Sequence, residues 1–271
     1  CDDGNACTVS DSCLTGACNQ TTVLICNDGQ YCNGLESCDP VSGCLPGAPV
    51  ACDDGIACTI DQCDEQANDC ANLPDHGACD DGDLCSLDSC DSASGCSSSF
   101  EPAAYCLTAA REFLIVIDKP GENRDLLKWK WAKGEEVFLS DLGNPPSSTV
   151  LGLCIYDMVA SEPTLAARLE VGAGAGWQAA GKKGFKYKDK SGFSDGVQKV
   201  IIKSDRAGKS KAKLLAKGSN FVLPEAVSDW QMFAQDPSLV VQLVNNLGMC
   251  WATELSTAKT NTAVKFKSKE P

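Results

Sequence analysis

From about residue 112 onward, apolar and polar residues alternate with period two, the spacing that places successive side chains on opposite faces of a β-strand. Ten segments read this way: FLIVID (113–118), LLKWKW (126–131), TVLGLCIYD (149–157), ARLEVG (167–172), FKYK (185–188), VQKVIIK (197–203), SKAKLLAK (210–217), SLVVQLV (238–244), MCWATEL (249–255) and AVKFK (263–267). Runs such as LGNPPSS, GAGAG and NNLG separate them, so residues 107–271 are expected to form an all-β antiparallel sandwich or jelly-roll. Period two also assigns faces. Trp129 and Trp131 share one side of their strand and Lys128 and Lys130 the other, while Phe185 and Tyr187 oppose Lys186 and Lys188 in the same way. The plain reading is aromatic rings in the core and lysines in water. The alternative is a ligand platform of Trp129 and Trp131 that stacks a sugar or an acidic polymer.

Residues 1–106 lack this alternation and repeat themselves instead. Cys1, Cys26, Cys52 and Cys79 each open a unit that reads Cys-(Asp/Asn)-Asp-Gly-x-x-Cys and continues to a third and a fourth cysteine. The units span about 1–25, 26–51, 52–78 and 79–106. Their apolar content is far below what about 25 residues need to offset conformational entropy. Disulfides, at about 2 to 4 kcal/mol each, must supply the difference, giving stapled, irregular repeats with little regular secondary structure and an elongated form. Cysteines at this density are oxidised outside the cell and improbable in a reducing cytosol.

The chain holds 19 cysteines, an odd number. Cys154 and Cys250 lie in strand-like segments of the second domain and are expected to pair with each other. Seventeen remain, and Cys106 falls where a fifth unit would begin. If each opening cysteine bonds back to the preceding unit, Cys1 is left over as an unpaired or intermolecular thiol; if units close within themselves, Cys106 is. The first pairing is the favoured one.

Charge sharpens the division. The first 105 residues contain 19 acidic residues and no Lys or Arg, whereas the remainder carries all 23 basic residues against 18 acidic ones. Nucleic acid would be repelled by such an arm; cations, basic partners or the basic body of another copy would be attracted. The carboxylates recur in register. Asp3, Asp28, Asp54 and Asp81 precede the turn glycine, Asp11, Glu36, Asp61 and Asp88 stand two places before the third cysteine, and Asp39, Asp64 and Asp91 follow it. The first two columns are candidate calcium ligands, since calcium takes hard oxygen donors; the spacing is not that of an EF-hand. The competing use is the capping of turns.

The Cys-Thr-x-Asp-x-Cys core, present as CTIDQC (58–63) and in altered form as CTVSDSC (7–13) and CSLDSC (85–90), resembles the cysteine-rich repeats of slime-mould extracellular matrix proteins. Similar arrays occur in secreted surface proteins of myxobacteria and related deltaproteobacteria. The C-terminal part, with WKWAKG, LCIYD, YKDK and a late Cys-Trp, resembles a β domain recurring in secreted bacterial proteins of unassigned function. Both resemblances imply extracellular structural material and bring no catalytic residues with them.

Catalysis finds little footing. His76 is the single histidine, and no Gly-x-Ser-x-Gly, P-loop or His-Glu-x-x-His is present. Paired carboxylates would have to come from strand residues such as Asp157, Glu170 and Glu254. No apolar stretch is long enough to span a membrane. The chain lacks an initiator Met and a signal peptide, which reads as a processed product or fragment. Asn19-Gln20-Thr21 matches a glycosylation sequon. The expected function is a non-enzymatic extracellular structural protein, a subunit of a cell-surface fibre, sheath or matrix that self-associates into a homopolymer through acidic arm to basic body contacts. The alternative is a secreted adhesion module that binds extracellular polysaccharide, with the repeats as spacer.

Overall fold

The computed structural model describes residues 2–9, 12–14, 16–19, 22–119 and 125–270. Cys1, Asp11 and the sequon residues Gln20 and Thr21 lie outside these described residues. The chain divides into two compact units, Cys1–Asp80 with Asp88–Ser97, and Asp81–Leu87 with Ser98–Pro271. The second unit thus takes in two pieces of the fourth repeat, Asp81–Leu87 and the stretch that begins at Ser98.

In the first unit every repeat is a tight turn followed by a short antiparallel hairpin. Ser12–Leu14 pairs with Ala17–Asn19, Ser37–Asp39 with Gly43–Leu45, Thr59–Asp64 with Asp69–Pro74, and Leu87–Asp91 with Gly95–Ser99. The turn explains the Cys-Asp-Asp-Gly motif. In the third repeat Asp53 Oδ1 accepts from Gly55 N at 2.8 Å and Asp54 Oδ1 from Ile56 N at 2.8 Å, two overlapping Asx turns. Gly55 between them sits at φ 78°, where a side chain would be strained. Among the described residues of this unit, the buried apolar side chains are Cys58 and Cys90, so disulfides replace a core.

Among its described residues the second unit contains twelve strands: β1 (Ala109–Ile117), β2 (Leu126–Gly134), β3 (Leu151–Val159), β4 (Glu162–Val171), β5 (Trp177–Ala179), β6 (Gly184–Lys188), β7 (Val197–Lys203), β8 (Ser210–Lys217), β9 (Leu239–Asn245), β10 (Cys250–Leu255), β11 (Ala258–Thr262) and β12 (Lys265–Glu270). They form an eight-stranded antiparallel sheet in the order β5-β6-β7-β8-β2-β1-β12-β11 and a four-stranded one in the order β4-β3-β9-β10. One core lies between the sheets, built on Trp129, Trp131, Phe266 and Val200 from the large sheet and Leu153, Ile155, Leu243 and Trp251 from the small one. Trp129 and Trp131 are 0% exposed, so the core reading of their alternation holds and no aromatic platform exists there. Their polar edges are satisfied inside, Trp129 Nε1 donating to Thr253 Oγ1 at 3.0 Å and Trp131 Nε1 to Leu107 O at 3.2 Å.

β3 departs from alternation because both of its faces are covered. Leu153 and Ile155 point into the core, while Cys154 and Tyr156 on the opposite face pack with Cys85, Val240 and Val244. The cover comes from the repeat sequence itself. Leu84 lies against Gly152, where an added Cβ would stand 3.0 Å from the Leu84 Cβ, and Ala103 exchanges two hydrogen bonds with the Gln242 amide at 2.9 and 2.8 Å.

Candidate functional site: the cysteine ladder and its carboxylates

Eight disulfides occur among the described residues, and seven obey one rule or its extension. The first and fourth cysteines of a repeat close that repeat, as in Cys26–Cys44, Cys52–Cys70 and Cys79–Cys96. The second cysteine bonds forward to the third cysteine of the following repeat, as in Cys7–Cys38, Cys32–Cys63 and Cys58–Cys90. Hairpin geometry separates the two roles. Cys38 stands opposite Cys44 and Cys63 opposite Cys70 in register, and within each pair one thiol reaches back to the previous repeat while the other closes its own.

The fourth repeat has no fifth to reach, and its second cysteine, Cys85, bonds to Cys154 on β3. A strand of the β domain therefore supplies what a third cysteine would otherwise supply. The junction is reinforced by Tyr156, whose hydroxyl donates to Cys85 O at 2.8 Å, and by an ion pair between Arg168 and Asp83. Burial, with the Asp83 charge as the smaller cause, pushes the Tyr156 phenol up to about 12. The eighth bridge joins Cys106 to Cys250.

These bonds overturn three expectations. Cys154 and Cys250 do not pair: β9 separates β3 from β10, and strands two places apart lie about 9.6 Å from each other, beyond the reach of a disulfide. Cys106 is bonded and is not the odd thiol. Opening cysteines close their own repeat instead of bonding back.

The three columns of carboxylates take different environments. The column before glycine caps turns. Asp3 accepts from Asn5 N at 2.9 Å, Asp28 from Gln30 N at 2.9 Å, Asp54 from Ile56 N at 2.8 Å and Asp81 from Asp83 N at 2.8 Å. The column after the third cysteine caps hairpin loops. Asp39 Oδ1 accepts from Ser42 N at 2.7 Å, Asp64 Oδ1 from Gln66 N at 2.8 Å and Asp91 Oδ1 from Ser94 N at 2.8 Å. The Ser42 and Val41 amides hold Asp39 below the usual carboxylate range, as the Ser94 hydroxyl and the Ala93 amide hold Asp91. Capping thus accounts for both of these columns.

The middle column is different. Glu36 Oε2 and Asp61 Oδ1 are shielded from solvent, and neither has a hydrogen-bond partner among the described residues. Each belongs to a repeat with an amide oxygen in the same condition, Asn33 Oδ1 and Asn72 Oδ1, and Asn72 stands directly opposite Asp61 in its hairpin. Asp61 also meets Asp53 and Asp54, one oxygen of each lying within 4.8 Å of the others. Sequence periodicity singled out Asp54 and Asp61 but missed Asp53, although the doubled Asp of the motif was its signal. Asp88 lies on the strand Leu87–Asp91.

Other candidate residues are committed to structure. His76 Nδ1 accepts from Cys90 N at 2.9 Å. Asp157 is buried, and its two oxygens accept from Ala234 N and Gln235 N at 2.6 and 2.8 Å; burial raises its pKa. Glu170 and Glu254 are exposed on β4 and β10. No helix among the described residues is long and apolar enough to cross a membrane.

The sequence matches no protein-family model, and no solved structure matches the fold. It is similar to Protein psiR of Dictyostelium discoideum, at 37% identity over 84 residues, which cover 27% of this chain and 8% of that protein. Together with the disulfide ladder, that likeness supports a cysteine-rich repeat array.

Proposed function

We propose that this is an extracellular structural protein, a subunit of a cell-surface fibre, sheath or matrix that self-associates through its acidic repeats and basic β domain. The observation that carries this reading is the forward bonding of every described second cysteine, Cys7, Cys32, Cys58 and Cys85, to the next module. Pull on the chain therefore passes through covalent bonds from module to module, which suits material exposed to force, proteases and an oxidising medium. The resemblance of the repeats to surface proteins of slime moulds and myxobacteria belongs with the same reading.

Calcium is the cation this reading assigns to the middle carboxylate column. Asp53, Asp54 and Asp61 offer the hard oxygens calcium prefers, and Asp61 Oδ1 and Asn72 Oδ1 have no donor among the described residues. Electron microscopy and sedimentation velocity at 50 and 500 mM NaCl, with and without millimolar calcium, test the assembly. Ordered polymers that disperse at high salt are the expected result; a monomer under all four conditions refutes it. Calorimetric titration of calcium into the full chain and into Asp61→Asn tests the cation, and equal heats from both would remove it. The glycan-binding alternative loses its aromatic basis, since Trp129 and Trp131 are buried.

A further inference from the structure

The large sheet turns a face of one charge outward. Residues of β2, β6, β7, β8 and β12 that alternate with the core side chains are mostly lysine, those of β1 are Arg111, Phe113, Ile115 and Ile117, and no outward position of these strands is Asp or Glu among the described residues. The register brings like charges side by side: Lys130 pairs with Lys213, Lys203 with Lys211 and Lys188 with Lys199. β12 extends the field with lysines at 265, 267 and 269. Among the lysines stand Phe113, Ile115, Ile201 and Leu215, each partly exposed, with Lys128 and Lys130 of β2 between the first two and the last two. A cleft of about 270 Å³ opens on this face, bordered by Lys128, Lys199 and Lys213.

Folding does not explain this arrangement. Like charges directly opposite one another across strands are destabilising, and a surface that serves solubility alone mixes both signs. Lys213 shows the strain, its pKa drawn down first by burial and then by Lys130, Lys211, Lys128 and Lys199. The lysines stand about 4.8 Å apart between strands and about 6.8 Å apart along them, a grid matched to a polyanion with closely spaced charges.

We propose that this face is the docking surface for the acidic repeats of a second copy of the chain. Charge complementarity selects that occupant: the first 105 residues carry 19 carboxylates and no basic residue, and every copy brings one such segment and one lysine face. The contact is heterologous, so copies add head to tail and the chain of contacts stays open unless it closes into a ring. The inference rests on the self-assembly reading above and names the surface that performs it.

The test compares the full-length protein with the double variant Lys130→Glu/Lys213→Glu by sedimentation velocity at 50 mM NaCl. Circular dichroism and the mass of the unreduced protein confirm that the variant has folded with its disulfides. Self-association of the variant is expected to weaken by more than about tenfold, two charge reversals in the centre of a steered contact. Because the variant keeps its acidic repeats, adding it to wild-type protein should cap growing assemblies and shorten them. Wild-type assembly with equal assembly of the variant would overturn the face while leaving self-association standing. A wild-type protein that is monomeric at every salt and calcium concentration would end both readings. Binding of dextran sulfate to the face of such a monomer would mark a polysaccharide surface instead.

Discussion

Glu112 provides the sharpest test of the electrostatics of the β domain. It lies on β1, opposite Trp131 of β2 and Glu270 of β12, with its carboxylate turned toward the seam where β10 of the small sheet approaches. Burial raises its pKa from the ordinary 4.5 to about 7; the backbone amides of Ala109 and Glu254 work against this, and the Glu270 and Glu254 charges add to it. An acid whose folded pKa lies above its unfolded one favours folding while protonated. Its contribution is therefore complete below about pH 4.5 and is lost as the pH rises through about 7. That difference corresponds to at most about 3.4 kcal/mol, and solvent screening of this partly exposed group reduces it to about 1 to 2 kcal/mol. Glu112→Gln should accordingly match the wild type in guanidinium unfolding at pH 4 and exceed it by about 1 to 2 kcal/mol at pH 8. Identical pH slopes for the two proteins would refute the reasoning. A variant less stable at pH 8 would show that the amide hydrogen bonds outweigh burial.

Three further outcomes are expected. Replacing Cys85 and Cys154 together by serine opens a link between residues 69 apart, should cost about 2 to 4 kcal/mol, and should free the Ser86 amide, which donates to Asp83 O, to hydrogen exchange while the core of β3 stays protected. Trp129→Ala should destabilise the β domain by about 3 to 5 kcal/mol in thermal unfolding and leave the repeat disulfides intact; a loss below about 1 kcal/mol would contradict its place in the core. Non-reducing peptide mapping should recover the first-to-fourth linkages Cys26–Cys44, Cys52–Cys70 and Cys79–Cys96, and a Cys52–Cys79 linkage would break the rule.

Alternation revealed the strands because most lie between core and solvent. All ten expected segments became strands, whereas Trp177–Ala179 and the polar Ala258–Thr262 were missed as edge strands with nothing to alternate. GLCIYD read as a strand but hid its second buried face, since only the fold shows that the fourth repeat lies on it. The cysteine columns were legible, but their partners were not, because pairing depends on which hairpin thiol faces which neighbour. Capping by Asp39, Asp64 and Asp91 followed directly from Asp preceding a turn. The shielded oxygen of Asp61 did not, for burial on a hairpin depends on pairing with distant residues such as Asn72, its register partner eleven residues away.

The Cys85–Cys154 bridge also bears on how such a chain can change length. Each repeat contributes one outgoing thiol and one receiving thiol, and the β domain contributes a receiving thiol alone. Unequal recombination that adds or deletes a whole repeat therefore leaves every bond in the array with a partner of the right kind. Copy number becomes an adjustable trait, and the number of repeats ahead of the β domain can drift or be selected without the fold being reinvented.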